Sequence, residues 1–213
     1  MRKSIVRGCL VVVCLYTGSV VVNAQLSERK FEVGAVFTSI TLDNFKARAL
    51  PGIATGDSTI KGLGGRLAYN FTDNVAVDAE GSFFPETHFG NEEFGQKTQG
   101  FIGVKAGVRK KRIGAFAKAR PGVMWFGEFP ARGTCTQTTF GSSCGVSHEK
   151  DFALDLGGVF EFYPVDRVII RADVGDTIIR FPLRTFGLLN SPSFIPAEKK
   201  HNFQMSVGFG WRF

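Results

Sequence analysis

Histidine is scarce in this 213-residue chain, and its three copies are where acid–base or nucleophilic chemistry would have to be built. Hydrolysis by a side-chain nucleophile needs a hydroxyl, a histidine within hydrogen-bond reach and an acid to orient it. Ser147-His148-Glu149 holds all three residue types in a row. Adjacent residues on an extended chain point to opposite faces, however, so the three cannot converge. The next residue on the face of His201 is Phe203, not a serine, and His88 falls in a polar loop. Asp78 and Glu80 share one strand face, a spacing open to acid–base work, but they stand among lysines and arginines on that face and read as members of an ion-pairing set. Cys135 and Cys144 have only His148 near them, and no second cluster completes a metal site. No catalytic residue, metal or cofactor is expected.

The cysteines carry information about compartment instead. Arg2, Lys3 and Arg7 form a basic start, residues 8–22 a short apolar run, and Val22-Asn23-Ala24 ends in the small residue a signal peptidase requires. Residues 1–24 therefore read as a cleaved secretory signal, and the apolar run is short for a membrane-spanning helix. Removing those three cations lowers the formal net charge from +7 to +4 and takes Cys9 and Cys14 with it. In an exported chain the remaining pair, Cys135 and Cys144, reads as a disulfide pinning a Gly/Ser/Thr-rich loop. The modest positive surplus has no basic stripe with interleaved aromatics, which argues against nucleic acid as a partner.

The elements that position these groups repeat a period of two. From Phe203 to Phe213 every second residue is apolar (Phe203, Met205, Val207, Phe209, Trp211 and Phe213), while Asn202, Gln204, Ser206, Gly208, Gly210 and Arg212 fill the other face. Such alternation marks a β-strand with one oily and one polar face. Similar stretches run at about 31–40, 63–71, 75–84, 98–109, 113–126, 151–163 and 167–180. Thr72-Asp73-Asn74, Lys110-Lys111-Arg112 and Pro164-Val165-Asp166 make tight turns. Polar stretches at about 41–61, 85–97, 127–150 and 182–200 make long loops between them. Eight strands with short connections at one end and long ones at the other predict an all-β fold, an eight-stranded antiparallel up-and-down transmembrane β-barrel over residues 25–213. A lipocalin-like soluble barrel shares the alternation with its oily face turned inward; the exported context and the placement of aromatics favour the membrane version. Tyr69, Phe71, Phe160, Phe162, Tyr163, Trp211 and Phe213 gather near the short-turn end as an interfacial girdle would.

The polar face, pooled over the strands, carries Glu32, Asp78, Glu80, Asp155, Glu161 and Asp173 against Arg66, Lys105, Arg109, Lys118, Arg120, Arg171 and Arg212. An eight-stranded barrel is just wide enough for side chains to fill, and charges enclosed there need partners. A near-balanced lumen charge network is the expectation. On the nominal inner face of the fifth strand, Phe116, Met124 and Phe126 are candidates to line a shallow apolar pocket toward the loops.

The ending Phe209-Gly210-Trp211-Arg212-Phe213 resembles the assembly signal of Gram-negative outer-membrane β-barrel proteins, which close on an aromatic with apolar residues at alternate positions before it. With the signal, the strand count and the loop alternation, residues 25–213 look like a small barrel of the OmpA/OmpX/OmpW type without a periplasmic domain. The resemblance implies outer-membrane localisation, Phe209, Trp211 and Phe213 as the insertion signal, and the barrel assembly machinery as a partner; some barrels of this kind are enzymes, and it is the lack of a catalytic set in this chain that predicts no enzymatic activity. Outer-membrane lipids and lipopolysaccharide are expected around the barrel, and a surface partner is open to the loops through Lys46, Arg48, Arg132, Arg184, Lys199 and Lys200. The function expected is a structural or surface-interaction role. The alternatives are porin-like or hydrophobic-solute transport and, last, lipid modification.

Overall fold

The computed structural model describes residues 30–43, 56–89, 92–129, 135–138, 141–144, 147–186 and 193–213. The expected signal at 1–24 and the loop cations Lys46, Arg48 and Arg132 lie outside them. Eight long strands form the wall: β1 (Phe31–Leu42), β2 (Ser58–Asn70), β3 (Val75–Phe84), β6 (Lys97–Arg109), β7 (Ile113–Phe129), β10 (Ser147–Phe162), β11 (Val168–Phe181) and β14 (Glu198–Arg212). Each pairs antiparallel with its neighbours, and β14 returns to β1 to close the barrel. The remaining strands are small hairpins above the wall: β4 (Thr87–Phe89) with β5 (Glu92–Phe94), β8 (Cys135–Thr138) with β9 (Gly141–Cys144), and β12 (Arg184–Phe186) with β13 (Ser193–Ile195).

The strands run further into the long connections than their alternation predicts. β2 begins at Ser58, β10 at Ser147 and β14 at Glu198, because polar residues there still pair through their backbones once a neighbouring strand supplies the ladder. The tight turns fall where expected. Thr72 Oγ1 accepts from the amides of Asn74 and Val75, at 3.2 and 3.0 Å, holding the β2–β3 turn.

Register decides the shape. Following partners around the wall from Phe31 through Tyr69, Val77, Val104, Ala119, Leu156, Asp176 and Phe203 leads back to β1 at Thr41, ten residues further along. A stagger of that size over eight strands tilts them by about 40° and gives a wall radius of about 8 Å. The Phe203–Phe213 row then rises about 25 Å along the barrel axis, the height of the apolar band of a bilayer-spanning barrel. The oily face is the outer one: Leu63, Leu67, Ile102, Val108, Phe209 and Phe213 are each more than half exposed. The soluble alternative, with that face inward, is thereby excluded by the fold.

Close approach explains a few inner-face glycines. A Cβ on Gly103 or Gly107 of β6 would sit 2.1 Å from the Ala119 or Ala115 carbonyl oxygen of β7. Glycine lets these two strands coil tightly around a narrow interior.

Candidate functional site: the enclosed interior

The interior is layered along the axis. Toward the short turns it is charged. Glu32 contacts Lys105 at 3.3 Å, Arg109 at 3.2 Å, Arg66 at 3.5 Å and Arg212 at 3.4 Å. Asn70 Nδ2 also donates to Glu32 Oε1 at 2.9 Å. Glu161 forms a second hub, paired closely with Lys105 and contacting Arg109 at 3.2 Å and Arg66 and Arg171 at 3.7 Å. Arg171 bridges to Asp78 at 2.7 Å and pairs with Asp173. Lys118 joins Asp173 to Asp155, at 3.6 and 2.8 Å, and Arg120 joins Asp155 to Asp78 at 3.4 Å and to Glu80 at 2.8 Å.

These thirteen side chains form one connected set that draws a member from every wall strand. Seven are cations and six are carboxylates, so the set is nearly neutral. Almost all are buried, and Arg120, Lys105, Asp78, Asp155 and Glu161 are fully enclosed. Removing charges from water is costly, and mutual attraction compensates only when every member is partnered. The inner wall meets that condition by pairing across the lumen as well as between neighbours: Arg120 lies opposite Asp155 on the next strand, while Lys105, which lies opposite Lys118, reaches Glu161 and Glu32 on other strands.

Two aromatics belong to this layer. Tyr163, placed above in the outer girdle, is buried and points inward: its hydroxyl bonds Glu161 Oε2 and accepts from Arg109 Nε at 2.7 Å. Residue parity carried that signal, since Glu161 points in, Phe162 out and Tyr163 in again. The rest of the girdle includes Phe31, whose ring packs edge-on against Tyr69 with centroids 4.9 Å apart, and Tyr69 contacts Phe71 likewise at 5.1 Å. Phe116 lies under Lys105 and Arg109, with their charges 5.1 and 5.3 Å from its ring centre. It therefore stands in the charged half and not beside Met124 and Phe126.

Above the charges lies a band of neutral hydrogen-bonding groups. Ser206 Oγ donates to Thr38 Oγ1 at 3.0 Å, Thr38 meets Ser82 Oγ at 3.3 Å, and Thr177 Oγ1 donates to Gln204 at 2.9 Å. Toward the long loops the interior becomes largely apolar, although Lys97 and Asp151 are also buried at that level. Ile40, Leu42, Ile60, Phe84, Phe101, Met124, Phe126, Ala153, Ile179 and Phe181 pack into one buried cluster. Met124 and Phe126 are core members, at 0% and 1% exposure, and do not line a shallow open pocket. Of the cluster's ten members only Met124 and Phe126 were expected inside near the loops. Its signal is the failure of alternation near the strand tops, where Ile40, Ile60, Phe84 and Ile179 occupy the nominally polar face.

No protein-family model matches the chain, and no curated protein matches it in sequence. Solved structures match it in three dimensions. Neisserial surface protein A superposes with a TM-score of 0.56 at 10% identity, over 86% of this chain and 97% of its own. The outer membrane protein OprG of Pseudomonas aeruginosa gives 0.55 at 11% identity, over 87% and 96%. Ail, the attachment invasion locus protein of Yersinia pestis, in complex with the heparin analogue sucrose octasulfate, gives 0.50 at 13% identity, over 87% and 97%.

This chain has the fold of the small outer-membrane β-barrels. The likeness is one of architecture. Phe209 and Trp211 lie outward on β14 and Phe213, just past its end, is exposed on the same side; the Phe213 amide donates to the Phe31 carbonyl at 2.9 Å, so this aromatic sits at the closing seam. Cys135 and Cys144 are direct register partners in the β8–β9 hairpin. His201 faces outward, its Nδ1 2.5 Å from Asp176 Oδ2, and no hydroxyl among the described residues bonds to it. His88 and His148 fall in β4 and β10, apart from it in the fold.

Proposed function

We propose that this protein is an integral outer-membrane barrel with a sealed lumen and a structural or surface-interaction role. The observation that carries the reading is the doubly closed interior: a connected ion network across all eight strands, capped by an apolar cluster. A conducting pore needs a continuous polar path, and a buried apolar layer above a tightly paired charged one offers none. Purified barrel in planar bilayers is expected to give no steady conductance; large stable channels would refute the proposal. Transport of hydrophobic solutes is a weaker reading, since Phe116 and Met124 belong to different layers.

The absence of enzymatic activity is part of the same proposal. The histidine with a described side chain, His201, has an acid partner but no nucleophile bonded to it. We further read Phe209, Trp211 and Phe213 as the signal recognised by the barrel assembly machinery, and Cys135 with Cys144 as a disulfide. For opposed residues in an antiparallel hairpin the Cα separation, about 4.5–5.5 Å, suits a disulfide.

A further inference from the structure

The outer wall changes chemistry at one height on three neighbouring strands. On β10 the outward row passes from Phe152 to Lys150, on β11 from Ile178 to Arg180, and on β14 from Phe203 through His201 to Lys199. Register brings these together: Arg180 lies directly opposite Lys199 on one side and Phe152 on the other, while Lys150 lies opposite Trp125.

Arg180 and Lys199 are both exposed, and among the described residues neither has a carboxylate partner. Like charges set directly across a sheet destabilise each other unless something lies between them. The acids nearby are engaged elsewhere. Asp176 takes His201 and the Asn202 amide, the latter at 2.9 Å, and Asp43 and Glu198 take the inward-turned Lys200 at 3.3 and 3.5 Å. The concentration of cations is local. On the β1–β2 wall the row above Phe37 and Leu63 carries Ser39, Thr41 and Thr59, the two threonines bonded to each other at 2.9 Å, and one cation, Lys61.

We propose that this corner of the barrel binds a phosphorylated lipid of the outer leaflet, a lipid A headgroup, with a phosphate between Arg180 and Lys199. Its acyl chains lie against Phe152, Ile178 and Phe203. The inference rests on the outer-membrane reading above. What selects this occupant is level and charge: on each of the three strands the cations begin one or two outward positions above the last apolar residue, where headgroup phosphates lie. Trp125 beside Lys150 occupies the interfacial position that indole favours. Basic residues at that depth attract anionic lipid individually, and two converging on one phosphate add.

The test reconstitutes the refolded barrel in nanodiscs of phosphatidylcholine containing a fixed fraction of lipid A, extracts it gently, and measures retained lipid A by mass spectrometry. Dephosphorylated lipid A runs in parallel. The R180Q/K199Q double variant should retain about thirtyfold less phosphorylated lipid A than wild type, R180K/K199R should retain it, and K110Q/K111Q, at the opposite end, should match wild type. Wild type should hold the dephosphorylated form no better than the double variant does. Equal retention by wild type and R180Q/K199Q, or no preference of wild type for the phosphorylated form, overturns the site while the inserted barrel stands. A barrel that never enters the nanodisc overturns the membrane reading and the site together.

Discussion

Arg120 offers the sharpest measurement of what the enclosed charges do. It is fully buried and holds three carboxylates: Asp155, Asp78 and Glu80. Replacing it with methionine keeps the bulk and removes the charge. Asp155 retains Lys118 at 2.8 Å and Asp78 retains Arg171 at 2.7 Å, but Glu80 is left with no described ion pair. Leaving a buried carboxylate without its partner costs about 3–5 kcal/mol. With a urea dependence of about 2 kcal/mol per molar, Arg120→Met should lower the unfolding midpoint in lipid vesicles by about 2 M. Tryptophan fluorescence and the mobility difference between unheated and boiled samples would report it. The E80Q/R120M double variant removes the orphan and should recover about 1–3 kcal/mol. If Arg120→Met alone unfolds within about 0.5 kcal/mol of wild type, or the double variant is no better than the single, the network is not a paired, water-excluded set and the lumen is not sealed by it.

Three further outcomes follow from the same geometry. Gly103→Val, whose Cβ would meet the Ala119 carbonyl oxygen at 2.1 Å, should cost about 3 kcal/mol or more, seen as loss of the heat-shifted band in refolding, whereas the same change at Gly158, where the added Cβ meets nothing within 4 Å, should be tolerated. Phe213→Ser should slow insertion in cells several-fold while refolding into detergent stays close to wild type; equal loss in both would make the residue structural and not a signal. Cys135 and Cys144 in protein taken from cells should react with iodoacetamide only after reduction, and ready labelling of the unreduced protein would exclude the bond.

Much of the wall was legible because a period of two is a local property. Parity alone puts Glu32, Asp155 and Arg212 on one face and Phe31, Leu156 and Phe213 on the other, and the tight turns at 72–74 and 110–112 fix the strand count. Depth is not local. Whether Phe116 stands beside Lys105 or beside Met124 depends on the ten-residue stagger of the closed wall, which no single strand encodes. The same holds for the apolar cap, whose ten members come one or two at a time from seven strands. Tyr163 is a different case: its parity was available, and it was misplaced because an aromatic at a strand end has two uses, one in the headgroup region and one beside buried charge.

The seam between β1 and β14 has a consequence for how the chain can be rearranged. The amide of Phe213 bonds Phe31, Arg212 meets Glu32, and the two ends of the described wall therefore lie side by side on the same rim. A short peptide joining them, with a new opening cut in the 44–55 connection, would give a circular permutant with the same wall and the same interior. That molecule would place the aromatic row of β14 in the middle of its sequence, separating the signal role proposed for Phe213 from what it does as a neighbour of Phe31.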